Sequence, residues 1–275
     1  MKNVNLCGVQ IEPILCDLDA SMKKSVEMIE KCVDEYSADL IVFPETVATG
    51  FITGLDAKEL RKYTDEIPGK TTEAIQEAAR KNKTHVVWTT YEPAPDGKLY
   101  NSAVLIDPKG DVLGVYRKVH PFPAEYGWTA PGNKVEVFKT DIGNIGMIIC
   151  FDGDFAELAR IMAKKNVHII ARPSAFLRSF DVWELTNAAR AYDSRAYLVG
   201  VNYIGKDKGP AYYYGHSMIV SPQGRRLAQA LSREEIIHAE VDWTDLDYAS
   251  FGSNVEFLAD NIKTRNEEAY KDILD

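Results

Sequence analysis

Short runs of β-branched and aliphatic residues recur through most of the chain: "VNLCGVQI", "ADLIVFPE", "THVVWTTYE", "NSAVLID", "VLGVYRK", "GMIIC", "VHIIARP", "YLVGVNYIG" and "HSMIVSP". Each is strand length, and segments of helical periodicity separate several of them, an order that points to an α/β fold. "LIVF", "MIIC" and "HII" are solidly apolar, as strands covered on both faces should be, whereas "VEVFKTD" alternates and belongs nearer a sheet edge. Helices are expected over 20–36, 70–82, 155–165 and 182–195; the first carries Met22, Val26, Ile29 and Val33 at spacings of three and four, a packing stripe. "DPKG" (107–110) and "SPQG" (221–224) read as tight turns joining hairpins, so parallel and antiparallel pairings should mix.

With 275 residues, 45% hydrophobic and 27% charged, and no low-complexity tract or linker, a single domain spanning 1–275 is expected. A net charge of −9 argues against nucleic acid or an anionic membrane as partner, since both select a clustered positive field. No apolar stretch approaches the roughly 20 residues a bilayer crossing needs. The opening "MKNVNLCGVQ" lacks a long apolar segment and a cleavage site, so a cytoplasmic location is expected. Cys7, Cys16, Cys32 and Cys150 form no C-x-x-C pair, and the five histidines show no ligand spacing; free thiols and no metal are expected. "DIGNIG" is not the G-x-G-x-x-G of a dinucleotide-binding turn.

Two apolar strands halt at a polar reactive residue, "LIVFPETVATGF" at Glu45 and "GMIICFDGDF" at Cys150, and a third, "VLGVYRKVH", ends at Lys118. Ligands of open α/β sheets gather at the carboxyl ends of strands, so these residues are candidates for one crevice. Taken singly, each has a plainer reading: a core cysteine, a lysine snorkelling at the rim, a solvated loop acid. After Cys150, Asp154 is placed to cap a helix, with Glu157 three residues on, and a helix N-terminus would favour the sulfur anion.

"FPET", "YRKVHPF" and "CFDGDFAELAR", in this order and at these separations, resemble the nitrilase, or carbon–nitrogen hydrolase, superfamily. The resemblance continues from "VNLCGVQIEP" through "ARPSAF", "ARAYDSRAYLVGVNYIG" and "GHSMIVSPQG" to about Asp242. It implies a four-layer αββα sandwich with two mixed β-sheets and a Glu-Lys-Cys triad needing no cofactor. Glu45 would be base and acid, Lys118 an electrostatic stabiliser, Cys150 the nucleophile, and Glu125 a second glutamate holding substrate and base. The Phe151 N–H would join Lys118 in stabilising the oxyanion. The implied reaction cleaves a small amide through a Cys thioester and releases ammonia. The resemblance also implies a homodimer packed through "DVWELTNAARAYDSRA" and the tail at 246–275.

Carbamoyl amino-acid hydrolases of this family often carry arginines just after the nucleophile to hold a carboxylate; here those places are Gly153 and Asp154, where an anion would meet repulsion. Arg172 is placed either to compensate or to pair with Asp152, Asp154 or another acid. Tyr126, Trp128, Phe176 and Trp183 are candidate pocket walls, with core packing as the alternative. An uncharged or apolar carboxamide is the first expectation, with carbamoyl and nitrile substrates as alternatives; Asp193 and Ser194 depart from the common form of their segment. Two rivals remain: a Cys150–His120 pair with Glu45 structural, and a catalytically silent binding or scaffold protein.

Overall fold

The computed structural model describes residues 3–210, 212–246, 262 and 264–273. The first half of the chain runs β1 (Val4–Gln10), α1 (Leu18–Tyr36), β2 (Leu40–Val42), a one-turn α2 (Ala57–Leu60), α3 (Lys70–Asn82), β3 (His85–Pro93), β4 (Leu99–Ile106) and β5 (Val112–Arg117). The second continues with β6 (Val137–Thr140), β7 (Gly143–Met147), α4 (Ala156–Lys164), β8 (Ile169–Pro173), α5 (Phe180–Ser194) and β9 (Tyr197–Val201). A small pair, β10 (Ile204–Gly205) and β11 (Tyr213–Tyr214), precedes β12 (Met218–Val220), β13 (Arg226–Gln229) and β14 (Glu235–Val241).

Two six-stranded sheets result, ordered β14-β1-β2-β3-β4-β5 and β13-β12-β9-β8-β7-β6. Each is mixed: β1, β2 and β3 are parallel, as are β7, β8 and β9, with antiparallel strands at both flanks. "VEVFKTD" lies at an edge, as its alternation predicts, and both Pro-Gly turns close hairpins, with Gly110 and Gly224 N–H groups donating to Asp107 and Ser221 carbonyls at 2.9 Å.

Alternation along the strands sorts side chains into layers, because successive Cβ atoms point to opposite faces. Leu6, Leu40, Val42, Ala103 and Leu105 face the second sheet, meeting Met147, Ile169, Ala171, Val199 and Ile219. Their neighbours Cys7, Ile41, Val86, Trp88 and Val104 pack on Met28, Ile29 and Cys32 of α1 and on Ile75 and Ala78 of α3. The outer face of the second sheet packs on Leu158 and Met162 of α4 and on Trp183 and Ala191 of α5. The order is helices, sheet, sheet, helices, a four-layer αββα sandwich. Each fully buried aliphatic side chain in these layers contributes roughly 1.5–3 kcal/mol.

The α1 stripe is amphipathic as read, but the helix starts at Leu18, where Asp17 accepts the Ala20 N–H at 3.0 Å. Asp154 is not a cap. A 3₁₀ turn over Cys150–Asp154 intervenes, Phe155 occupies the position before α4, and the Asp154 carboxylate pairs with Arg178 instead. The tail expected at 246–275 to join an interface falls mostly outside the described residues; where described, it forms a 3₁₀ turn over Glu267–Ile273.

Candidate active site

Glu45 and Cys150 each lie three residues beyond an inner strand, β2 and β7, while Lys118 directly follows β5. Strand ends of the two facing sheets therefore supply the three groups, and all are buried. Glu45 is carried on a turn pinned to β3: Thr89 Oγ1 donates to the Pro44 carbonyl and accepts the Val47 N–H at 2.9 Å. Thr46 there adopts φ +50°, a left-handed conformation that the surrounding bonds hold.

Lys118 Nζ donates to Glu45 Oε1 and to Glu125 Oε2, each at 2.6 Å. Glu125 is fully buried rather than a solvated loop acid, and its Oε2 also accepts the Phe122 N–H at 2.8 Å. The Phe51 ring covers the ammonium at 5.3 Å. Glu45 Oε2 accepts the Ala175 N–H at 2.8 Å.

Cys150 has φ +45°, a strained conformation for a residue with a Cβ. Its carbonyl is held by Arg172, through Nε at 3.1 Å and Nη2 at 2.8 Å, and Arg172 Nη1 donates to Thr186 Oγ1 at 2.9 Å and Asn187 Oδ1 at 2.6 Å. This corrects both readings of Arg172: among the described residues it pairs with no acid, and its guanidinium is spent behind the cysteine rather than presented to a carboxylate. Trp183, expected as a pocket wall, is fully buried beneath Arg172, at 4.9 Å from the guanidinium, with its indole N–H on the His216 carbonyl. Gly153 is required by this packing, since a Cβ there would stand 2.1 Å from Arg172 Cζ.

The opening above Cys150 is lined by Phe122, Phe151, Ala175, Phe176, Leu177 and Arg178. Phe176 thus lies where the sequence put it. Tyr126 does not: it is 65% exposed, on the outer side of the Glu125 turn. Trp128 packs tilted against Tyr91, ring centroids 5.3 Å apart, and lines a separate cavity with residues 51–55 and Ala124. The Asp154–Arg178 pair at the rim also removes the expected repulsion toward anions, because the acid is already neutralised. His120 is committed elsewhere, its Nδ1 2.9 Å from Asp152 Oδ1 and its ring on Phe155.

Burial raises the Glu45 pKa; Lys118 opposes this and Glu125 adds to it. Burial and Glu45 push the Cys150 thiol up, against the pull of Lys118, Arg172 and the Ala175 N–H. These three supply the local positive field, in place of the helix end expected from the sequence. Burial alone would lower Lys118, but Glu125 and Glu45 more than offset it and its pKa is raised. Arg172 is lowered by burial to about 10. The resting pattern is a neutral thiol beside an ammonium flanked by two carboxyl groups, a weak nucleophile with a proton acceptor at hand.

Two contributors lie outside the motifs: the Ala175 backbone N–H, and Asn101, whose Nδ2 donates to Glu45 Oε1 and Glu125 Oε1, each at 2.8 Å. Asn101 had a signal, a polar residue in step with Leu99, Ala103 and Leu105 on the core face of β4. A backbone donor has none.

The carbon–nitrogen hydrolase family model matches residues 6–249. The chain is 31% identical to the omega-amidase NIT2 of Homo sapiens over 248 residues, covering 86% of this chain and 87% of that protein. It is 32% identical to a nitrilase of Pyrococcus abyssi, covering 97% and 99%. Among solved structures, Nit3 of Saccharomyces cerevisiae, a member of branch 10 of the nitrilase superfamily, superposes with TM-score 0.80 at 28% identity, covering 89% of this chain and 92% of that one. The chain belongs to the carbon–nitrogen hydrolase family of the nitrilase superfamily and is a hydrolase of carbon–nitrogen bonds.

Proposed function

We propose that the protein hydrolyses a small linear carboxamide through a thioester on Cys150. The observation that carries this reading is the Lys118 ammonium held between two buried carboxylates beside a buried cysteine. Glu45 takes the thiol proton and the sulfur attacks the amide carbon. The oxyanion is stabilised by Lys118 and by the Phe151 N–H; losing one such donor typically costs on the order of 10²–10³ in rate. Glu45 returns the proton to the departing nitrogen, the C–N bond breaks and ammonia leaves. The same carboxylate then takes a proton from water, whose oxygen attacks the thioester; the C–S bond breaks, freeing the carboxylic acid and the thiol. Glu125 fixes Lys118 throughout.

Phe122, Phe151, Phe176 and Leu177 around the opening favour a short, largely apolar acyl group, and the relatives named omega-amidases support an amide as the bond cleaved. The reading includes a homodimer packed through α5, where Leu185 is 66% and Tyr192 52% exposed. An ammonia-release screen over aliphatic, aromatic and amino-acid amides, carbamoyl amino acids and nitriles, with Cys150→Ala as blank, tests the function. Ammonia from carboxamides in the wild type alone is expected. Release from nitriles or carbamoyl compounds with none from carboxamides would replace this reading.

A further inference from the structure

Asn101 stands on the core face of β4, 1% exposed, where an aliphatic residue would pack at lower cost. Its two side-chain N–H bonds go to Glu45 and Glu125, and its backbone carbonyl accepts the Lys118 N–H at 2.8 Å. One neutral residue therefore bonds both carboxylate side chains and the backbone of the lysine between them. A carboxamide nitrogen carries two protons, one for each carboxylate. Turning the amide over would aim Oδ1 at two carboxylates, so the network fixes its orientation. Oδ1 itself is buried with no hydrogen-bond partner among the described residues, as is the Tyr91 hydroxyl on the residue opposite in the β3–β4 register.

The charge balance gives this bridge its meaning. Two carboxylates and one ammonium leave one excess negative charge in a closed space, and neighbouring carboxylates so placed tend to share a proton. A shared proton would occupy the base before it met the thiol. Lys118 compensates one negative charge, and a donor to both carboxylates offsets part of the other.

We propose that Asn101 is a positioning residue of this hydrolase, fixing Glu45 and Glu125 on Lys118 so that Glu45 is free to accept the Cys150 proton. This rests on the assignment of Glu45 as base and Cys150 as nucleophile. The test is the pH dependence of Cys150 alkylation by iodoacetamide, a readout that needs no knowledge of the substrate, with peptide mapping to separate Cys150 from Cys7, Cys16 and Cys32. Wild type, Asn101→Leu, Asn101→Asp and Glu45→Gln are compared, with thermal melting alongside.

A hydrogen bond to a charged group is worth about 1.5–3 kcal/mol, which is about one to two pH units at 1.36 kcal/mol per unit. The acid limb of the alkylation profile is expected to rise by that amount in both Asn101 variants, with reactivity returning at higher pH. Asn101→Asp keeps the side-chain size, so a residue that merely fills space would leave its limb in place. A wild-type limb in the folded Asp variant overturns the proposal, and so does loss of folding in both variants, which would make Asn101 structural. If Glu45→Gln keeps the wild-type profile, the base assignment itself fails, a result distinct from either.

Discussion

Burial raises the pKa of both Glu45 and Cys150, and the two shifts suit a base and a thiol that exchange a proton only when substrate arrives. The sign of the pH effect follows. Glu45 must be ionised to act, and its pKa lies above the ordinary 4.5, so kcat/KM should fall as pH drops through a value higher than 4.5. Glu45→Gln should abolish that limb along with the activity, which a pH–rate series on the two proteins checks. At this scale Glu45, Lys118 and Cys150 stood out as candidates, because a charged or nucleophilic residue at the end of an apolar strand breaks the pattern; Glu125, in a turn, was indicated only by the family resemblance. Arg172 and Trp183 were misplaced for a physical reason: the sequence shows that they sit near the site, not whether they face the cavity or stand behind the cysteine. Ala175 acts through its backbone, and no side-chain pattern reports it.

The turn over Cys150–Asp154 and its anchor Arg172 act as one element. Arg172 holds the Cys150 carbonyl from β8, and Gly153 leaves the space that the guanidinium fills. Gly153→Ala should displace Arg172, lower stability by about 1–3 kcal/mol as overpacking does, and cut kcat/KM at least tenfold. Thermal melting and steady-state kinetics check it; a wild-type Tm with wild-type kinetics would show that Arg172 does not set the nucleophile. The inner strands and the four longer helices were readable from periodicity, the helices to within two residues at each end and the strands less tightly, as with "GMIIC", which β7 precedes by three residues. β13 and β14 were not, since "RLAQ" and "EIIHAEV" are edge strands with half-exposed side chains, and the place of β14 is decided by pairing with β1 across most of the chain. The Asp154 cap failed because the acid had a nearer partner in Arg178.

In the whole molecule, two mixed sheets face each other so that β2, β5, β7 and β8 end around one buried cluster of charge. The α/β order was legible from solid apolar strands alternating with amphipathic helices; the four-layer order came from the family resemblance, because the pairing of sheet to sheet rests on contacts distant in sequence. Leu185→Asp on α5 should shift sedimentation from a dimer toward the 30.8 kDa chain, whereas a wild-type protein sedimenting at that mass would contradict the dimer. The account turns on a covalent bond to one sulfur. Acid quench during carboxamide turnover, followed by intact-mass analysis and peptide mapping, should find the acyl group on Cys150 and none on Cys150→Ala. Ammonia release that continues undiminished in Cys150→Ala would contradict it.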